Sequence, residues 1–305
     1  MSGAASDSRA GSQRARIVIA FAILYIVWGS TYLVIRVGVA ELPAALFTGV
    51  RFLLAGLLLT IWARLRGQDF PADARAWGNV AVVGFFLFVC ANGLVVWSEQ
   101  WVPSNEAALI VTATALWLAL LGTIGRNGHA LDRRTVIGLV LGFAGAALLL
   151  IPRGDWVPGA AVARVALLAA GLAWAAGSIW WKRAKDRTPL LMAAGLQSLF
   201  AGVVLGLAGL ISGESARWTW SATGIGAIAY LVVFGSCFAY ASYVYLLHAV
   251  RPALLGTYAY VNPVVAVVLG WLFLGETLIG AQWLGMLVII AGVVLVSLAP
   301  SAPAE

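Results

Sequence analysis

From residue 17 to residue 299 the chain alternates long apolar runs with short breaks that hold Pro, Gly or charge. A helix needs about 20 mostly apolar residues to cross the hydrocarbon of a bilayer. Ten runs meet that need, at 17–38, 44–63, 77–99, 105–125, 134–151, 162–182, 189–211, 222–247, 253–274 and 281–299. The expected fold is therefore an all-α integral membrane protein of ten transmembrane helices. The eighth run is long and the fifth short, so tilt or an extra turn outside the bilayer is expected there. Residues 1–16 are small, polar and basic and read as a disordered cytoplasmic tail, with a second short tail at 300–305. The first apolar run lacks a small-residue cleavage site and reads as a retained helix.

A repeat underlies the pattern. At a constant offset of 146, Trp28, Arg36, Pro43, Gly49, Arg51 and Gly56 correspond to Trp174, Lys182, Pro189, Gly195, Gln197 and Gly202. At an offset of 148, Val102, Thr114 and Gly122 correspond to Val250, Asn262 and Gly270. The repeats are placed at 17–151 and 162–299. Five helices per repeat is an odd number, so the second copy enters the membrane from the opposite side to the first. Inverted repeats occur mainly in transporters, around a site near the bilayer midplane.

Composition agrees with lipid as the solvent. The chain is 62% hydrophobic and 10% charged, against roughly 25% charged residues in soluble domains. Its net charge of +7 is scattered between apolar runs and forms no nucleic-acid-binding pattern. With the N-terminus inside, fourteen of the nineteen Lys and Arg residues fall on cytoplasmic segments, from Arg9 to Arg251. That asymmetry is what the positive-inside rule requires, and it puts both termini in the cytoplasm. Cys90 and Cys237 stand alone in apolar runs, and His129 and His248 are isolated, so no disulfide, metal site or cofactor is expected. The Gly-rich helices are compatible with a homodimer and do not require one.

Particular stretches carry a family likeness: LYIVWGSTYLVIRVGV from Leu24, GVRFLLAG from Gly49, YLVVFGS from Tyr230, SYVYL from Ser242 and TYAYVNPVVAVVLG from Thr257. The GET stretch at 275–277 and the closing GMLVIIAGVVLV add to it. On these residues the chain resembles the EamA family of the drug/metabolite transporter superfamily, over nearly its whole length. The resemblance implies a bacterial inner-membrane protein in which the first four helices of each half surround a central route, with helices five and ten peripheral. It implies export of amino acids or other small metabolites. The chain departs from the family where a Pro is common in the fourth helix, since Ala115 stands there, but it keeps the equivalent Pro263.

Candidate site residues follow from helix spacing. Tyr25, Trp28, Tyr32 and Arg36 form one stripe on the first helix, with Trp174 and Ser178 at the equivalent places on the sixth. Such a stripe either lines a cavity or packs between helices. Arg51 lies eight residues past Pro43, about 12 Å deep. An intramembrane charge needs a partner; it either holds a substrate carboxylate or clamps neighbouring helices, and Gln197 in its place in the second repeat favours the structural role. Asn92 and Glu99 share a face of the third helix, and Glu99 is the candidate for gating or protonation. Tyr258 and Asn262 form a polar strip beside Pro263, which either binds solute or makes only a kink. Ser236, Tyr240 and Tyr243 extend the route on the eighth helix. Glu276 is expected to cap or link helices.

The function expected is a secondary transporter that exports small metabolites, amino acids or amphipathic drugs, by alternating access, with a small solute and membrane lipid as its partners. A membrane-embedded lipid-modifying enzyme would need clustered His, Asp or Glu at one face, and the sequence offers none. A non-transporting scaffold would usually add a soluble output domain, for which the loops are too short.

Overall fold

The computed structural model describes residues 2–102, 104–124, 131–149, 160–184, 187–274 and 280–298. His129 and Glu276, with the rest of the GET stretch, lie outside the described residues. The described chain is helical throughout its regular structure: α1 (Ser2–Glu41), α2 (Ala44–Leu65), α3 (Ala74–Ser98), α4 (104–123), α5 (Arg133–Leu149), α6 (Ala160–Arg183), α7 (Leu190–Ile211), α8 (Ala222–Ala249), α9 (252–274) and α10 (Gly280–Leu298). α4 is interrupted at Thr112, and α9 at Gly256 and Thr257. α1 begins at Ser2, within the stretch expected to be a tail.

Seven helices among the described residues are long and apolar enough to cross a membrane, and the shorter apolar stretches Ala113–Thr123 and Trp283–Val296 accompany them. Ten crossings were expected. Among the described residues α4 is broken at Thr112 and α5 has 17 helical residues, so neither makes one uninterrupted apolar helix of spanning length. The outside of the bundle is apolar: Ile26, Leu57, Val140, Val165, Leu207 and Leu287 are all exposed. A water-facing surface would not carry them in such density, whereas lipid tails satisfy them without cost.

The packing follows the repeat. The most extensive contact in the molecule joins α2 to its counterpart α7, and the next joins α5 to its counterpart α10. α1 packs on α8 and α9, while α6 packs on α3 and α4. Each repeat therefore completes the other. α2 and α7 run antiparallel, because Gly49 faces Gly206 while Gly56 faces Leu199. A Cβ at Gly49 would lie 2.5 Å from the Gly206 nitrogen, and one at Gly202 would lie 2.5 Å from the Leu53 nitrogen. These two glycines let the backbones touch, as close helix crossings in membranes require.

Helix ends obey the same relation. Pro43 and Pro189 precede α2 and α7, where a missing N–H costs nothing. The Leu46 amide donates to Glu214 Oε2 at 2.8 Å, and the Met192 amide donates to Gln68 Oε1 at 3.1 Å. Both pairs are related by the offset of 146, so the residue that follows each second helix caps the start of the other. Arg36 donates to the carbonyl of Glu99, at the end of α3, and Lys182 donates to that of Val250, at the end of α8, at 2.5 Å. At the start of α5, Asp132 accepts from the Thr135 amide at 2.6 Å, and this bond holds its carboxyl below the usual carboxylate range.

Two π-helical segments interrupt the third helix of each repeat, Phe85–Asn92 in α3 and Leu231–Phe238 in α8. They too are offset by 146. The wider turn rotates the residues that follow and leaves carbonyls without their usual partners, which is why such segments concentrate at functional sites. Here Asn92 Nδ2 turns back to the carbonyl of Leu87 at 3.0 Å.

Candidate functional site

The two π segments face each other across a cavity of about 80 Å³ between the repeats. From α1 it is lined by Trp28, Thr31, Tyr32 and Ile35, and from α2 by Arg51 and Phe52. α3 contributes Phe88 and Asn92, α4 contributes Thr114, and α6 contributes Gly171 and Trp174. Gly235, Ser236 and Tyr240 of α8 and Tyr258 and Asn262 of α9 complete it. Among the described residues α5 and α10 supply none of the lining. Neither does α7, although the family resemblance implied that the second helix of each half borders the route. The cause is Tyr240, whose ring lies in front of α7 and whose hydroxyl donates to Gln197 Oε1 at 2.6 Å.

Aromatic rings make most of the wall. Trp28 and Trp174, equivalent in the repeat, meet edge to face with ring centroids 5.3 Å apart. Trp28 also touches Tyr243 and Tyr258, each at 5.2 Å. Phe88 lies 4.7 Å from both Phe52 and Tyr240. Polar bonds fix the rings. Trp28 Nε1 donates to the carbonyl of Gly235 at 3.1 Å, and Trp174 Nε1 donates to the Tyr243 hydroxyl at 2.9 Å. Ser178 has one hydroxyl proton, which goes to the Trp174 carbonyl at 2.6 Å. The 2.5 Å contact between Ser178 Oγ and the Tyr243 hydroxyl must then have Tyr243 as donor. Ser178 thus closes a ring of bonds behind Trp174 and is not part of the lining.

The remaining sequence candidates are placed as follows. Trp28, Tyr32, Asn92, Trp174, Tyr240, Tyr258 and Asn262 are brought together around the cavity. Tyr25 points away, donating to Thr257 Oγ1 at 2.7 Å; Thr257 spends its own proton on the Leu254 carbonyl. Glu99 is 0% exposed behind the wall, and neither of its carboxyl oxygens has a hydrogen-bond partner. Arg36 and Arg51 are the cations within its electrostatic reach. Pro263 stands inside α9, following the cavity residue Asn262. Arg51, for which the sequence favoured a helix clamp over a carboxylate site, donates from Nε to Ser236 Oγ of α8 at 3.0 Å and borders the cavity.

Thr31, Thr114, Gly171 and Gly235 were not singled out as candidates. Thr114 had a signal, because it pairs with Asn262 at the offset of 148 and the two sit on the same cavity. Gly171 and Gly235 had none, since they matter for the volume they leave to Thr114 and to the guanidinium of Arg51.

The profile of the EamA-like transporter family matches this chain twice, over residues 15–151 and 162–298. The chain belongs to the EamA-like transporter family. The two EamA-like matches coincide with the two repeats, so the cavity lies between two copies of one family unit. The inner membrane transporter YedA of Escherichia coli K12 is 40% identical over 90% of this chain and 88% of its own length. The transporter YvbV of Bacillus subtilis is 25% identical over 93% of this chain and 92% of its own. Protein PecM of Dickeya dadantii is 26% identical, with 88% of each chain covered. A solved crystal structure with 20% sequence identity superposes with a TM-score of 0.79, covering 93% of this chain and 97% of its own, which establishes the likeness of fold. This EamA-like protein is a multi-pass membrane transporter.

Proposed function

We propose that the protein exports small metabolites, amino acids or amphipathic compounds with an apolar or aromatic side, across the inner membrane by alternating access through the central cavity. The observation that carries this reading is the meeting of Trp28 and Trp174 on the cavity wall. Equivalent residues of two opposed repeats touch there, so a rocking of one repeat against the other opens the same aromatic chamber to either side. The volume of about 80 Å³ is well below the few hundred Å³ of a usual ligand site. A solute of amino-acid size therefore enters only when the repeats separate on one side, and loading is coupled to movement. Ten crossings with both termini in the cytoplasm complete the reading, supported by the Lys and Arg asymmetry.

The test is flux in liposomes that contain only this protein, over a panel of amino acids and amphipathic drugs. Saturable flux of at least one solute is expected, and Trp28→Ala should reduce it about tenfold or more while the purified variant unfolds near the wild-type temperature. Absence of protein-dependent flux for every solute, in both directions, sinks the proposal.

A further inference from the structure

The charge and hydrogen-bond inventory of the cavity is unbalanced, and the imbalance has a chemical meaning. Among the described residues, Arg51 is the only charged side chain in the lining. It is 4% exposed; Nε is satisfied by Ser236, but NH1 has no hydrogen-bond partner. A buried guanidinium with an idle donor is costly unless an acceptor completes it. Glu99 does not serve. Its carboxyl oxygens have no hydrogen-bond partner, and it interacts electrostatically with two cations, Arg36 and Arg51, so one positive charge is left over even when Glu99 is ionised.

Two further lining groups point the same way. Thr114 Oγ1 and Asn262 Oδ1 are buried in the cavity wall without partners, on α4 and α9. A threonine hydroxyl is a second donor for an anion, and an amide oxygen accepts from an ammonium or an N–H of the same solute. Trp28 donates to the Gly235 carbonyl, and the guanidinium of Arg51 lies over the same glycine, 3.4 Å from where its Cβ would be. The aromatic wall and the cation thus converge on one point of the α8 π segment.

We infer that the idle arm of Arg51, steadied by Ser236, is the binding subsite for a single carboxylate on the transported solute, whose apolar part lies against Trp28 and Trp174. This rests on the transport reading and adds the charge of the solute. One unmatched guanidinium charge, with its NH1 group idle, matches a monoanion. An inorganic phosphate, with a larger charge, meets one cation here and has no apolar part for Trp28 and Trp174. The subsite is also one-sided, because the counterpart Gln197 is neutral, committed to Tyr240 and absent from the lining.

Phenylacetate and its neutral isostere phenylacetamide test the inference by calorimetric titration of the purified full chain in detergent, with inorganic phosphate as a third probe. Phenylacetate should bind about tenfold or more tightly than phenylacetamide, and phosphate should not displace it. Arg51→Gln should bring the two affinities within about twofold of each other. If that variant does not fold, Ser236→Ala, which frees the guanidinium without removing it, should still lower the preference about threefold. Equal binding of both probes by the wild type, binding of neither, an unchanged preference in the variant that folds, or displacement by phosphate overturns the subsite. Flux of neutral solutes in liposomes that survives such a result would leave the transport reading intact, whereas no flux at all would remove both.

Discussion

Tyr243 joins two buried polar bonds behind the cavity wall. Its hydroxyl accepts from Trp174 and donates to Ser178, and its ring touches Trp28, Trp174 and Tyr258. Tyr243→Phe keeps the ring and removes both bonds, leaving the Trp174 N–H unsatisfied in a dry interior. We expect a loss of about 1–2 kcal/mol, read as a lower unfolding temperature in micelles, and a smaller loss for Ser178→Ala. If Tyr243→Phe unfolds at the wild-type temperature, the bond ring is dispensable. At this scale the sequence was informative where one helical turn separates chemistry-bearing residues, as with Trp28 and Tyr32 or Tyr258 and Asn262. It misled at Ser178, which occupies the place of Tyr32 in the repeat but is too short to reach the cavity and bonds its own helix instead. Arg51 has a neutral repeat partner, so the sequence favoured a helix-clamping role, and its bond to Ser236 of α8 is such a clamp while its guanidinium also borders the cavity.

The start of α2 and the start of α7 depend on side chains from the opposite repeat. Glu214 and Gln68 each satisfy an amide in the first turn of a helix to which they are not joined in sequence. Removal of either cap, as Glu214→Ala or Gln68→Ala, should cost about 1 kcal/mol. The two losses should add in the double variant, since the caps sit at opposite ends of the antiparallel pair. Thermal unfolding of the three variants measures this, and a double variant no worse than Glu214→Ala alone would contradict it. Helix positions were readable from apolar runs because a spanning helix has to be long and greasy. The break at Thr112 was not, because Thr and Ala keep the run apolar while the backbone turns. Nor were the π segments, since FFLFVCAN and LVVFGSCF carry no residue that distinguishes a π turn from an α turn.

The whole molecule is held by the crossing of α2 and α7, where glycine stands in for an interface. Gly202→Leu would drive a side chain into the backbone at Leu53, and Gly49→Leu would do the same at Gly206. Both should lower the yield of folded, monodisperse protein severalfold, whereas Gly206→Ala, whose Cβ meets nothing within 4 Å, should be neutral. Size-exclusion chromatography of the three variants decides it; a well-folded Gly202→Leu would show that the crossing is not tight in the membrane. The duplication was legible at this scale from six matched positions, and the expectation that counterpart helices oppose each other agrees with the antiparallel crossing of α2 and α7. The route's exact border was not legible, since whether α7 reaches it depends on the single ring of Tyr240.

The mismatch between Arg51 and Gln197 bears on energetics as well as on recognition. A carrier whose halves were identical would rest equally in its two facing directions, and trading the roles of the halves would leave its free energy unchanged. In the proposed alternating-access cycle that trade exchanges a cation for an amide, so its two resting orientations differ in depth. With the mismatches of Thr114 against Asn262 and Tyr32 against Ser178, that exchange tilts the unloaded carrier of that cycle toward one face of the membrane.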